Sequence, residues 1–242
     1  MAVFTKEGRA YHIQVAPGEI GRYVFLPGDP FRTDLIASFL DDAKLVAHNR
    51  EHKTWTGYLN GQKVSVTSTG MGCPSTAIAV EELIACGADT FIRIGTAGAV
   101  RDPEDYKHYD GVIVTGAVRD EGTTIHYIPA EYPAVADRFV VDALAKAAAA
   151  KGLHYAEGIS QSKDSFYGEV APETAQGRLE ERWQAWRRGN VMCSEMECAA
   201  LFIVSSIRKC RASAIMNWGD MNKTIEIACD AVKALMETDN RE

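Results

Sequence analysis

Phe91-Ile92-Arg93-Ile94-Gly95-Thr96-Ala97-Gly98 is the stretch whose reading decides the fold. It opens as an apolar run suited to a buried strand and closes on glycines and a threonine, with an arginine inside the apolar part. A buried guanidinium must be paired or bind an anion, so Arg93 is a poor packing residue and a good anion ligand. In an open α/β sheet, ligands lie just past the carboxyl ends of strands, where Arg93, Gly95 and Thr96 fall. The expectation is that Arg93 and Thr96 hold an anion, with phosphate the favoured one.

Working outward, two more segments have the same form. Tyr23 to Leu26 is a short apolar strand running into Pro27-Gly28-Asp29-Pro30. Asp29 before Pro30 is an N-cap acid followed by proline at the first helical position, and Phe31, Leu35, Ile36, Phe39 and Leu40 continue at helical spacing. A glycine turn at a helix start offers backbone N–H groups to an anion. Residues 64–67 form a strand that leads through Ser68-Thr69-Gly70-Met71-Gly72 to a helix over 74–85. Strands are also expected at 44–47 and 54–59, with Asn60-Gly61 turning a hairpin. Further on come strands at 111–118, 155–160 and 212–217. Helices are expected over 134–151, 179–188, 195–209 and 223–236. This alternation predicts an α/β fold in one domain spanning 1–242.

The bulk composition narrows the function. The chain has 242 residues, 46% of them hydrophobic, and a net charge of −7, enough for a substantial core without disulfides. Mild acidity with no basic run argues against a nucleic-acid binder. No apolar stretch approaches membrane-spanning length, and residues 1–10 lack the core of a signal peptide. The six cysteines are scattered without a Cys-x-x-Cys pair, which fits free thiols in a cytoplasmic protein.

His48-Asn49-Arg50-Glu51-His52 matches a zinc-protease pattern, but that pattern needs a helix, and Lys53-Thr54-Trp55-Thr56-Gly57-Tyr58 are strand formers. More telling are the arginines beside glycine turns: Arg32, Arg50 and Arg93. Guanidiniums grip a phosphate dianion bidentately. Glu195-Met196-Glu197 opens an apolar helix; such acids either complement the helix dipole or accept from neighbouring sugar hydroxyls.

Together these segments resemble the nucleoside phosphorylase family. The resemblance rests on Leu26-Pro27-Gly28-Asp29-Pro30-Phe31-Arg32, Ser68-Thr69-Gly70-Met71-Gly72-Cys73-Pro74-Ser75, Phe91 to Gly98, Asp164-Ser165-Phe166-Tyr167 and Glu195-Met196-Glu197. His126 and Pro133-Ala134-Val135-Ala136-Asp137 are similar to its pyrimidine branch. The resemblance implies a three-layer α/β/α sandwich with a mixed, partly barrel-like central sheet. It implies phosphorolysis of uridine, and of deoxyuridine as a further substrate, to uracil and the sugar 1-phosphate. Phosphate is then a cosubstrate and no other cofactor is required. Gly28, Arg32, Arg93 and Thr96 would hold phosphate, with Arg93, Arg32 and Thr96 as the catalytic set and Arg50 reaching in from a neighbour. Glu195, Met196 and Glu197 would hold ribose, His12 would cross from the neighbour to the 5′-hydroxyl, and Phe166 would pack on the base. Glu51, Met71 and Ser75 match positions that hold potassium in some members. A hexamer of dimers with shared sites is implied.

Two departures stand out. The pyrimidine branch has a glutamine and an arginine shortly after the Phe-Tyr pair, whereas here Glu169 takes the glutamine's place and no arginine comes before Arg178. The segment after Asn217 is short, and Asp220 falls where purine phosphorylases keep a base-protonating aspartate. The alternatives are therefore a purine phosphorylase or nucleosidase of the same fold, or a nucleoside-binding protein without turnover.

Overall fold

In the computed structural model, residues 3–167 and 179–240 are described. Strand β1 (Tyr23–Leu26) is buried throughout and feeds α1 (Pro30–Ala37), whose N-cap Asp29 accepts from the Phe31 amide as the sequence predicts. Strands β2 (Asp41–Asn49), β3 (His52–Leu59) and β4 (Gln62–Thr67) form a meander. Asn60 and Gly61 turn β3 into β4 with φ of 48° and 74°, the left-handed pair a two-residue hairpin needs. Next come α2 (Cys73–Ala85), β5 (Thr90–Thr96), β6 (Gly98–Ala99), α3 (Pro103–Tyr106) and β7 (Gly111–Asp120). A 3₁₀ turn at Thr124–His126 and β8 (Ala134–Val135) lead to α4 (Arg138–Ala150) and β9 (Tyr155–Lys163). The chain closes with α5 (Leu179–Arg188), β10 (Cys193–Glu195), α6 (Cys198–Ile207), β11 (Arg211–Asn217) and α7 (Met221–Asp239).

All the strands join one mixed sheet in the order β2-β3-β4-β1-β5-β11-β7-β9-β10-β6, with β8 beside β7. Strand β5 is central, parallel to β1 on one side and β11 on the other, and its first six residues are buried. Burial on both faces demands helices on both, and two packed pairs supply them: α4 with α7, and α2 with α6, each pair touching β11. Because β6 follows β5 after Ala97 alone, the path β5-β11-β7-β9-β10-β6 returns to its start. That closure is the barrel-like part of the sheet, and it brings the carboxyl end of β5 next to β10.

Two expected helices begin later than the sequence suggests. Asp137 accepts from the Phe139 and Val140 amides, so α4 starts at Arg138, and Ala134–Val135 pairs with β7 instead. Glu195 ends β10, opposite Ser162 of β9, so α6 starts at Cys198. The zinc-protease pattern falls in the β2–β3 hairpin, with His48 exposed and His52 buried, so the two imidazoles do not converge. No helix among the described residues is long and apolar enough to cross a membrane.

Candidate active site

The three glycine turns expected to face an anion meet at one place. Register sets Leu26 opposite Arg93 across β1 and β5. The first two turns are bonded together, with the Thr69 amide donating to the Pro27 carbonyl (2.9 Å) and the Gly70 amide to the Gly28 carbonyl (3.0 Å). A Cβ on Gly28 would lie 3.3 Å from the Gly70 carbonyl oxygen and 3.7 Å from Arg93 Nη1. Gly70 has φ +71°, and a Cβ there would meet Glu51 Cγ at 2.5 Å, so glycine is required on both counts.

Arg93 is only 5% exposed. Its Nη2 bonds Glu197 Oε2, and its Nε stands 3.6 Å from Glu195 Oε2. Nε and Nη1 are buried without a hydrogen-bond partner among the described residues. Burial works against the charge of Arg93, but Glu197 and Glu195 hold its pKa above the ordinary value. Arg32, half-buried, shows the opposite balance: burial and then the nearby Arg93 push its pKa down. Two guanidiniums side by side, one with unused N–H groups, make an arrangement that an anion would stabilise.

The carboxylates on the other wall differ from each other. Glu197 Oε1 accepts from the Gly72 amide at 2.8 Å while Oε2 takes Arg93, which ties the second glycine turn to β5. Glu195 Oε1 accepts from Ser162 (2.5 Å) and Ser160 (3.2 Å), and its Oε2 accepts from the Glu197 and Cys198 amides (2.7 and 2.8 Å). Both Glu195 oxygens are thus engaged in starting α6 and closing β9 onto β10. Burial pushes its carboxyl pKa up.

These groups line a cavity of about 760 Å³. Gly28, Arg32, Arg93 and Thr96 line it, as do Glu195, Met196, Glu197 and Phe166. Glu51 and Met71 also border it, and Ser75 donates to Glu51 Oε1 at 2.9 Å. Arg50, His12 and Asp220 do not border it. Arg50 is exposed in the β2–β3 turn with φ +54°. His12 has its Nδ1 2.6 Å from Glu82, whose carboxylate also takes the His12 and Ile13 amides. Asp220 caps α7 through the Asn222 amide and does not border the cavity. Glu169 lies outside the described residues.

Sequence reading missed Lys163 and Trp183. Lys163 ends β9, and its Nζ stands 5.6 Å from the centre of the Phe166 ring and 5.8 Å from that of Trp183. Both residues border the cavity. The signal for Trp183 was an aromatic side chain in a strongly charged helix; Lys163 became visible only once β9 extended past 160. Among the described residues no three His, Cys, Asp or Glu side chains gather as a metal site.

Comparison with known proteins gives the family. Residues 22–239 match the model of the phosphorylase superfamily. The chain is 43% identical over 248 residues to the uridine phosphorylase of Treponema pallidum, covering 95% of each chain. It is 42% identical over 254 residues to the uridine phosphorylase of Thermococcus kodakarensis, covering 97% of this chain and 90% of that one. It is also 39% identical over 204 residues to the guanosine phosphorylase of Halorubrum lacusprofundi, covering 84% of this chain and 80% of that one. With buried Arg93 of β5 and half-buried Arg32 of α1 lining one cavity and a family match across nearly all of its length, this chain belongs to the phosphorylase superfamily.

Proposed function

We propose that the protein is a uridine phosphorylase, a pentosyltransferase of pyrimidine salvage that also accepts deoxyuridine. The observation that carries this is Arg93, buried beside Arg32 with Nε and Nη1 unpartnered among the described residues, at the end of a cavity large enough for a nucleoside. A hydrolase needs no such cation pair. The relatives named as uridine phosphorylases supply the base.

In this reading Arg93, Arg32, Thr96 and the Gly28 turn hold phosphate beneath the sugar. A phosphate oxygen attacks the anomeric carbon as the bond to the base breaks, and the dianion offsets the positive charge that builds on the sugar. No protein nucleophile takes part; the chain supplies position and electrostatic stabilisation. Glu197 and Met196 hold the ribose. Glu195, its oxygens already engaged, acts by fixing Arg93 and Glu197. Phe166 packs on the base.

The exposed Arg50 and the Glu82-held His12 suit donation to a neighbour's cavity, in a dimer that builds a hexamer. Glu51 and Ser75, with the Met71 segment beside them, offer oxygen ligands to a potassium ion at that interface, since hard cations take such oxygens. All six cysteines are free and five are buried, as suits the cytoplasm.

The test is to incubate the protein with uridine or inosine, with and without phosphate, and follow the free base. Uracil release only with phosphate is the expected result, and release without phosphate would sink the reading. The relative named as a guanosine phosphorylase gives a purine substrate as the second reading, and preferential cleavage of inosine would favour it. For site sharing, His12→Ala subunits mixed with Arg93→Ala subunits should regain activity that neither has alone; inactive mixed dimers would contradict it.

A further inference from the structure

His12 is bound on three sides by its own chain. Glu82 of α2 is 6% exposed, and both of its carboxylate oxygens face the segment at His12 and Ile13. Oε2 accepts from the His12 amide at 2.8 Å and from the Ile13 amide at 2.9 Å. Oε1 lies 3.1 Å from the same His12 amide and 2.6 Å from His12 Nδ1. From the other direction, Asn49 Nδ2 donates to the His12 carbonyl at 2.7 Å. Among the described residues, only Nε2 of the hydrogen-bonding atoms of His12 is left without a partner.

Ile13 is fully buried and anchors the main chain, whereas the imidazole stays 31% exposed. Satisfying a buried carboxylate accounts for the two amide bonds. The bond to the ring adds something further. The two nitrogens of a neutral imidazole are distinct, and a carboxylate at Nδ1 keeps the proton there, so Nε2 presents a lone pair outward. Tyr11 meets the ring edge-on at 4.9 Å and limits its rotation. Asn49 directly precedes Arg50, so one anchor serves both residues assigned to a neighbour's cavity.

Resting on the reading that His12 reaches the 5′-hydroxyl of the sugar in a neighbour's cavity, we propose that Glu82 and Asn49 are positioning residues for the phosphorolysis. Together they hold the His12 segment with Nε2 outward, where the 5′-hydroxyl donates to it. Neither touches substrate. Their contribution is therefore confined to nucleosides that carry a 5′-hydroxyl.

The experiment measures kcat/KM for uridine and for 5′-deoxyuridine in wild type, Glu82→Gln, Asn49→Ala, His12→Ala and the two double variants that include His12→Ala. Glutamine keeps the shape of Glu82, but the His12 amide is close to both oxygen positions, so the new NH2 meets an N–H in either orientation and the segment shifts. Wild type should prefer uridine by about tenfold. Glu82→Gln should lower that preference about fivefold and Asn49→Ala about threefold. Neither should lower it further once His12→Ala is in place. The preference is a ratio read in one preparation, so it does not depend on how much of the variant is folded. Equal losses on both substrates in Glu82→Gln, or a further drop in the His12→Ala background, would overturn the proposal while leaving phosphorolysis standing. If Glu82→Gln gives no folded protein, Asn49→Ala decides alone, and an unchanged preference there would overturn it. His12→Ala with the wild-type preference would overturn it together with the role of His12. A wild-type protein that released no uracil would overturn the phosphorolysis reading as well.

Discussion

On the buried side of the cavity Arg93 is 5% exposed and meets two carboxylates, one of which also holds the Gly72 amide. On its exposed side Phe166 is 60% exposed, with Lys163 Nζ 5.6 Å from the centre of its ring. Charges in the first environment are strongly coupled, because little water intervenes; in the second they are screened. Substitution of the buried, ion-paired Arg93 should therefore change stability and activity together. Substitutions on the exposed side should change activity alone.

The largest effect is expected at Arg93. Arg93→Met should lower kcat/KM for phosphate by about 10³-fold, and leaving Glu195 and Glu197 unpaired should cost about 3–5 kcal/mol. Arg93→Lys keeps a charge without the fork, so it should recover stability better than activity. Steady-state rates and urea melts measure the two separately. Near-normal phosphate dependence in either variant would break the comparison. Arg32→Ala sharpens it. Arg32 makes no ion pair within 4.0 Å among the described residues, and Arg93 opposes its charge. Its loss should raise the KM for phosphate by about 10- to 100-fold with little change in the melting midpoint.

A smaller effect is expected at Trp218, whose indole N–H donates to the Ala97 carbonyl at 3.0 Å and whose ring meets Tyr106 edge-on at 4.9 Å. It braces the loop just after Thr96. Trp218→Phe removes that bond and should cost about 1 kcal/mol, read as a several-fold rise in the KM for phosphate with kcat little changed. The least effect on turnover is expected from Asp239→Asn, far from both ends. There Arg211 and Tyr23 bond the carboxylate, and Arg211 above all holds its pKa below the ordinary 3.8. A depressed native pKa adds stability that is complete above 3.8 and is lost as pH falls through the native value. Asp239→Asn should lower stability near neutral pH by about 2 kcal/mol and flatten its acid dependence, with phosphate kinetics unchanged.

Much of the buried end was legible in the sequence. An arginine inside an apolar strand, a glycine turn capped by Asp29, and Gly70 with Gly72 each have one physical use, and the parallel register of β1, β5 and β11 brings these turns together. The carboxylates were legible in part. Glu195 and Glu197 were read as the first turn of a helix, whereas Glu195 ends a three-residue strand too short to show periodicity. Its engagement with Ser160 and Ser162 depends on β9 pairing with β10, a contact between segments some 35 residues apart. The exposed end was the least legible. Lys163 and Trp183 carry no local pattern that marks a site, and they meet only where α5 comes back to the end of β9. The N-cap at Asp137 was overlooked because the alanine-rich run before and after it reads as one helix.

The central claim is that the Arg93 end of the cavity holds phosphate as a reactant. Calorimetric titration of inorganic phosphate into wild type and into Arg93→Lys, with uracil present, tests it most directly. Saturable binding at one site per chain in wild type, weakened at least about tenfold in the variant, is the predicted result. No saturable binding to wild type, or equal affinity in the two proteins, would contradict it.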